Sequence, residues 1–349
     1  MGLGGAGTRP LAYRLGLVVA ILLALAAHAS DAIAAEASAP NGIPLDGVPI
    51  PHQVHSRAQP LASGHTAFVE FDTAPFPYTG RIPRTNRPFL ELAEDGRRYR
   101  RGGRGQILWE DETFSDRRVL LHIPPKFDAR RPGLIVVFFH GHGATLSDDV
   151  FLRQRVPHQF AGTNAVLVAP QLAVNAADSS AGKLWQPGAF ARFLGEAAHN
   201  LARLHGDKRT ARSFAAMPVV IVAYSGGYVA AASSVHHGGL GKRLRGVVLL
   251  DALYGEVDKF AGWIARDPSR LFISAYTSST QRGNAALQKV LADREINFHT
   301  DAELMPGPGS IVFVPSGSGS LHRDFLTQAW SNYPLADLLR KLSEYSTRP

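Results

Sequence analysis

Short, continuous apolar runs punctuate the chain, and they become regular only after Arg117. Seven of them predict buried strands: "RVLLHI" (118–123), "LIVVFF" (134–139), "AVLVAP" (165–170), "VVIVAY" (219–224), "GVVLLD" (246–251), "LFISAY" (271–276) and "IVFVP" (311–315). None shows the polar alternation of a strand with one wet face, so both faces should be covered. Such runs, separated by helical or looped segments, predict an α/β fold with a mainly parallel central sheet flanked by helices. "RGQILWEDE" is expected to add an antiparallel edge strand near Ile107.

Helical periods fill the gaps. "AFARFLGEAAHNLARLHG" puts Phe190, Phe193, Leu194, Ala197, Leu201 and Leu204 on one face and ends at the stop signal Gly206. "AALQKVLADREI" and the terminal "LADLLRKLSEY" carry the same period, and their apolar faces are expected to pack on the sheet.

The chain before Arg117 reads differently. Residues 35–116 form a Pro-rich lead-in, with "FDTAPFPYTGRIPRTNRPF" offering few helix or strand periods, and it is expected to wrap the core rather than fold alone. In residues 1–34, Arg9 and Arg14 precede the apolar run "LGLVVAILLALAAHA" and the small residues Ala32 and Ala34. That order predicts a cleaved signal peptide, with an uncleaved anchor as the alternative, and hence a periplasmic or secreted protein. Residues 117–349 would be the catalytic domain.

Composition narrows the classes. At 349 residues and 45% hydrophobic content the chain can bury a large core. It has no cysteine, which excludes disulfides, thiol catalysis and cysteine-ligated metals. The formal charge is +8, and loss of Arg9, Arg14 and Asp31 with the signal would leave about +7. Part of the excess lies in "DGRRYRRGGRG" (95–105), a solvated loop or a weak contact to an anionic envelope surface. Nucleic acid is not an expected partner, because that cluster lacks interleaved aromatics beyond Tyr99.

Open parallel sheets gather their chemistry at the carboxyl ends of strands. Here those ends read His140-Gly141-His142-Gly143-Ala144 after "LIVVFF", Ser225 after "VVIVAY", Asp251 after "GVVLL", and a Gly/Ser loop with His322 after "IVFVP". In this chain order, Ser225, Asp251 and His322 resemble the nucleophile, acid and base of the α/β-hydrolase superfamily. The resemblance covers about residues 117–345 and implies a serine hydrolase of lipase or esterase type.

A serine hydroxyl is a weak nucleophile and needs both a base and a cradle for the oxyanion. A sharp strand-to-helix turn exposes Ser225 and puts the Gly226 N–H beside it. Gly227 meets the demand for a small residue, while Ala223 stands where the family's G-x-S-x-G has glycine. An ordinary turn with a capping serine would use the same residue types.

The "HGHGA" loop is expected to supply further oxyanion donors from His142, Gly143 and Ala144, with metal ligation by His140 and His142 as the alternative. His322 is the expected base and His299 its rival. Asp251 is the expected acid, although most of the superfamily carries the acid after the next strand, where "AYTSST" has no carboxylate. Glu256 and Asp258 are the fallback acids, and a turn cap is the alternative role for Asp251.

Tyr224 and Trp185 are candidate substrate-binding residues, with Phe190, Tyr228 and Tyr254 also able to line a pocket or simply to pack. "LAVNAADSSAGKLWQPG", after Gln171, is the candidate wall over the site. The expected substrate is a small molecule or acyl ester of modest size, and the chemistry needs no metal or organic cofactor. An amidase, peptidase or acyltransferase would use the same triad, and a silent envelope-associated binding protein is the non-enzymatic alternative.

Overall fold

The seven apolar runs lie side by side in one sheet, joined by an eighth strand from the lead-in. In the computed structural model the described residues are 64–342, except 104, 268, 301–308 and 318. The apolar run assigned to a signal peptide lies outside them.

The strands are β1 (His65–Glu70), β2 (Glu91–Leu92), β3 (Arg98–Arg101), β4 (Ile107–Trp109), β5 (Arg118–Ile123), β6 (Leu134–Phe139), β7 (Ala165–Pro170), β8 (Val219–Tyr224), β9 (Leu244–Leu250), β10 (Leu271–Tyr276) and β11 (Ile311–Pro315). The large sheet has the order β1-β5-β7-β6-β8-β9-β10-β11. β5 runs antiparallel to both its neighbours, and the pairs from β7 through to β11 are parallel.

Period-two alternation sends successive side chains to opposite faces. Ile135, Val137 and Phe139 of β6 join one core with Val219, Ile221 and Ala223 of β8. Leu134, Val136 and Phe138 join the other with Val220 and Val222. The first face is covered by the helices Ala189–His205, Tyr228–His237, Val257–Ala265 and Gln281–Ala292. All six apolar residues predicted for the first of these are buried, and each large one contributes about 1.5–3 kcal/mol by leaving water. The second face is covered by turns between Leu146 and Phe160 and by the helix Pro334–Leu342.

The lead-in departs from the expectation of irregular chain. Its β1 is an edge strand of the large sheet, paired from His65 to Ile123 through Glu70 to Arg118. "HTAFVE" is as long as the other runs but too mixed in composition for its pattern to stand out. The strand near Ile107 is antiparallel, but it pairs with β3 in a separate three-stranded sheet, β2-β3-β4. A third apolar cluster ties this region down: Phe76, Tyr78, Phe89 and Phe114 pack with Ala173 and Ala176 from the segment after β7.

Candidate active site

β8 delivers Ser225 to a turn where its φ is +52°, a left-handed conformation that costs a non-glycine residue about 1–3 kcal/mol. The chain then passes through one tight turn, Ser225–Gly227, into the helix Tyr228–His237. Crowding explains the glycines. A Cβ on Gly227 would fall on the carbonyl oxygen of Phe139, one on Gly226 would fall on the His142 ring, and one on Gly141 would lie 2.8 Å from Ser225 Cβ. Ala223 is fully buried in the core, so the methyl that replaces the family's glycine is accommodated.

Asp251 follows β9 directly, with φ +45° and no exposed surface. Its Oδ2 accepts from His322 Nδ1 at 2.6 Å, Thr277 Oγ1 at 2.7 Å and Ser279 Oγ at 2.8 Å. Its Oδ1 accepts from Thr280 Oγ1 at 2.5 Å and the Thr277 N–H at 3.0 Å. Burial alone would raise this carboxyl's pKa, but the donors from His322, Thr280 and Thr277 hold it well below the usual carboxylate range. An ionised carboxylate only accepts, so the shared proton sits on His322 Nδ1 and leaves Nε2 as the basic nitrogen.

His322 is held from several sides. The Tyr224 ring stacks on it at 4.9 Å between centroids, and the Tyr224 hydroxyl donates to the His322 carbonyl at 3.4 Å. Tyr254 lies edge-on at 6.4 Å. Asp324 fixes the turn itself, accepting from the Leu321 N–H at 2.8 Å and from Gln328 Nε2 at 3.1 Å. Tyr224 therefore abuts the candidate base.

The fallback acids lie elsewhere. Glu256 pairs with Arg84 and Lys259, and Asp258 is in the first turn of the helix Val257–Ala265. His299 is exposed and exchanges backbone bonds with Ile311 and Phe313 beside β11.

The "HGHGA" loop is stapled from beneath. Buried His140 donates from Nδ1 to the Gly141 carbonyl at 2.8 Å and accepts at Nε2 from the Leu172 N–H at 2.9 Å. Burial pushes its pKa down to about 4, so it is a neutral strut. Both nitrogens are engaged, which leaves no lone pair for a metal. Gln171 completes the staple, donating to the Ala144 carbonyl and accepting from the Leu146 N–H.

Two expected assignments change. Gly143 is not a ready oxyanion donor, because its N–H already donates to the Ala176 carbonyl at 2.9 Å. Trp185 gives its ring to Tyr78 and Phe89, each at 5.7 Å, and so packs in the aromatic cluster instead of beside His322. Of the other expected donors, Ala144 and Gly226 are both buried, and Gly226 is the middle residue of the turn that leads into a helix, where the first amides have no partner inside the helix. His142 overlies Gly226 and bonds Ser179 Oγ through Nε2 at 2.6 Å. Phe190 belongs to the core.

A strand-to-helix elbow at Ser225, an acid directly after β9 and a base after β11 sit on an eight-stranded sheet whose β5 alone runs antiparallel to both neighbours. The chain has the α/β-hydrolase fold. Solved structures of that fold with similar chain traces include the feruloyl esterase module from Clostridium thermocellum, at 10% identity and TM-score 0.40, over 82% of this chain and 95% of that one. Another is an S-formylglutathione hydrolase from Agrobacterium tumefaciens, at 10% identity and TM-score 0.41, over 73% and 97%. An uncharacterized protein from Bacillus cereus is similar at 14% identity and TM-score 0.35, over 62% of this chain, which spans 60% of that protein's length. No family model and no curated protein matches the chain.

Pattern reading of this α/β-hydrolase fold missed Thr277, Ser279, Thr280 and Asp324. A signal for the first three was present. Leu250 pairs with Ala275, so the residues after β9 and β10 are neighbours, and "TSST" (277–280) offers hydroxyls beside a buried carboxylate.

Proposed function

We propose that this protein is an exported serine hydrolase that cleaves a carboxylic ester through an acyl-enzyme. One observation carries the reading: His322 is oriented by a fully buried, multiply hydrogen-bonded Asp251 and stacked on Tyr224, the residue that precedes the strained Ser225. Buried carboxylates are costly, and this one is matched to an imidazole that still has Nε2 available.

In the proposed cycle His322 Nε2 removes the Ser225 proton as Oγ attacks the ester carbon. The carbonyl electron pair moves onto oxygen, which the Gly226 N–H and the backbone near His142 would stabilise. Collapse expels the alkoxide, which takes the proton from His322. Water then repeats the sequence, releasing the acid and Ser225. Export rests on the apolar segment in residues 1–34, and N-terminal sequencing of protein made in cells tests it.

The decisive experiment combines fluorophosphonate labelling with turnover of short-chain esters and matched amides. Ser225→Ala should abolish labelling, and His322→Ala and Asp251→Asn should each lower kcat by about a thousandfold or more. Failure of the folded wild-type protein to label and to cleave esters would overturn the reading. Turnover of amides alone would replace the ester by an amide.

A further inference from the structure

Two tyrosine rings lie between His322 and a charged cluster to which the lead-in contributes Arg84. The Tyr254 ring is 6.4 Å from His322 and 6.0 Å from Tyr228, between centroids. Tyr228 begins the helix that follows Ser225, and Tyr254 is 46% exposed. Beyond them Glu256 Oε2 receives both Arg84 Nη2 at 3.3 Å and Lys259 Nζ at 2.6 Å. One carboxylate thus faces two cations. The Arg84 side chain is 72% exposed, whereas that of Glu256 is 15% exposed. Burial raises the Tyr228 hydroxyl's pKa, with Glu256 adding to the shift and Arg84 opposing it, so the tyrosine lies within the field of the pair.

Arg84 is held out on a built arm. The Ile82 N–H donates to the Arg87 carbonyl at 2.9 Å, the Asn86 N–H donates to the Ile82 carbonyl at 3.0 Å, and Arg81 bridges Pro88. Arg84 and Asn86 make the tight turn with φ of +72° and +54°. At its base the Tyr78 hydroxyl donates to the Arg81 carbonyl at 2.9 Å, and Phe89 is buried against Phe76 and Phe114. Residues 81–90 carry three arginines and no carboxylate.

We infer that this surface is a subsite for an anionic group on the substrate: Tyr228 and Tyr254 carry an aromatic or extended apolar stretch away from Ser225, and Arg84 pairs a carboxylate or phosphate at its far end. The inference rests on the ester-hydrolase reading. A guanidinium presents a planar fork that matches either anion. When Arg84 turns to substrate, Lys259 remains to neutralise Glu256, so the exchange leaves no carboxylate unpaired. The lead-in then has a chemical task, which is to project the cation that selects the ester.

The test measures kcat/KM for two ester pairs, each with a neutral and an anionic member. Phenyl butanoate is set against the butanoate ester of para-hydroxyphenylpropanoate, and para-nitrophenyl nonanoate against mono-para-nitrophenyl azelate. Wild type should favour the anionic member of at least one pair by about fivefold at low salt, and less as salt is added. Arg84→Ala should remove that preference and Arg84→Glu invert it. Arg209→Ala, which takes one charge from an exposed pair with Asp207, should leave it in place. Turnover of the neutral esters without any preference, or with the same preference in Arg84→Ala, overturns the subsite and leaves the hydrolase reading standing. Absence of turnover on every ester overturns the subsite, and together with absence of fluorophosphonate labelling it overturns the hydrolase reading as well.

Discussion

His322 Nδ1 donates to Asp251 Oδ2 at 2.6 Å across 71 positions of sequence. The bond is possible because β9, β10 and β11 lie side by side and parallel, so the loops that follow them meet at one end of the sheet. The residues after β10 act as a lining for the carboxylate between its partners, and this arrangement makes the site testable beyond the three central residues.

Thr280 is buried and donates to Asp251 Oδ1, so Thr280→Val removes a charge-assisted bond while nearly preserving volume. The expected loss is about 1.5–3 kcal/mol in urea unfolding at neutral pH. Asp251 has a depressed pKa, so its stabilisation is present above the ordinary value of 3.8 and is lost as pH falls through the folded value. Losing one donor raises the folded value, and the gap between variant and wild type should narrow in strong acid. A gap constant from pH 7 to pH 2 would show that the threonine acts by packing alone.

Gly226 and Gly227 are adjacent but should respond differently to alanine. At Gly227 the new methyl meets the Phe139 backbone, which cannot swing away, and a loss of about 3–5 kcal/mol is expected. At Gly226 it meets the His142 ring, a side chain that can move. Gly226→Ala combined with His142→Ala should therefore recover stability relative to Gly226→Ala alone, as read by urea midpoints. Equal losses for the two glycines, with no recovery in the double variant, would contradict this placement.

Buried His140 has its pKa pushed down to about 4 from an ordinary 6.5. Between those values the unfolded chain binds a proton that the folded chain does not, so stability falls on acidification. One such site accounts for about 2 kcal/mol between pH 7.5 and pH 5. Buried His122, also pushed down to about 4 by burial, acts in the same direction. Urea unfolding at the two pH values should show a smaller drop for His140→Gln than for wild type. An identical drop would show that His140 is not neutral in the folded protein.

The large sheet was legible because burial on both faces writes each strand as an unbroken apolar run. Six of the seven runs match the observed strands from end to end, and the seventh, β9, starts two residues earlier and ends one residue sooner. β1 was not legible: an edge strand of mixed composition has no such signature, and it takes its register from β5. Ser225 stood out because the elbow demands small residues locally, and His322 because it follows the final strand.

Gly143, Trp185 and Thr280 depended on partners far away in sequence. Whether an amide is free for an oxyanion depends on which carbonyl lies opposite, and for Gly143 that is Ala176. Whether an aromatic lines a pocket or packs depends on its neighbours, and for Trp185 these come from the lead-in. Period and turn chemistry are local properties, carried by residues a few positions apart, and they suffice to specify strands, the elbow and the order of the candidate groups. Hydrogen-bond partners, burial of Asp251 and the approach of Arg84 to Glu256 are set by loops converging at one end of a folded sheet, where proximity no longer follows position in the chain.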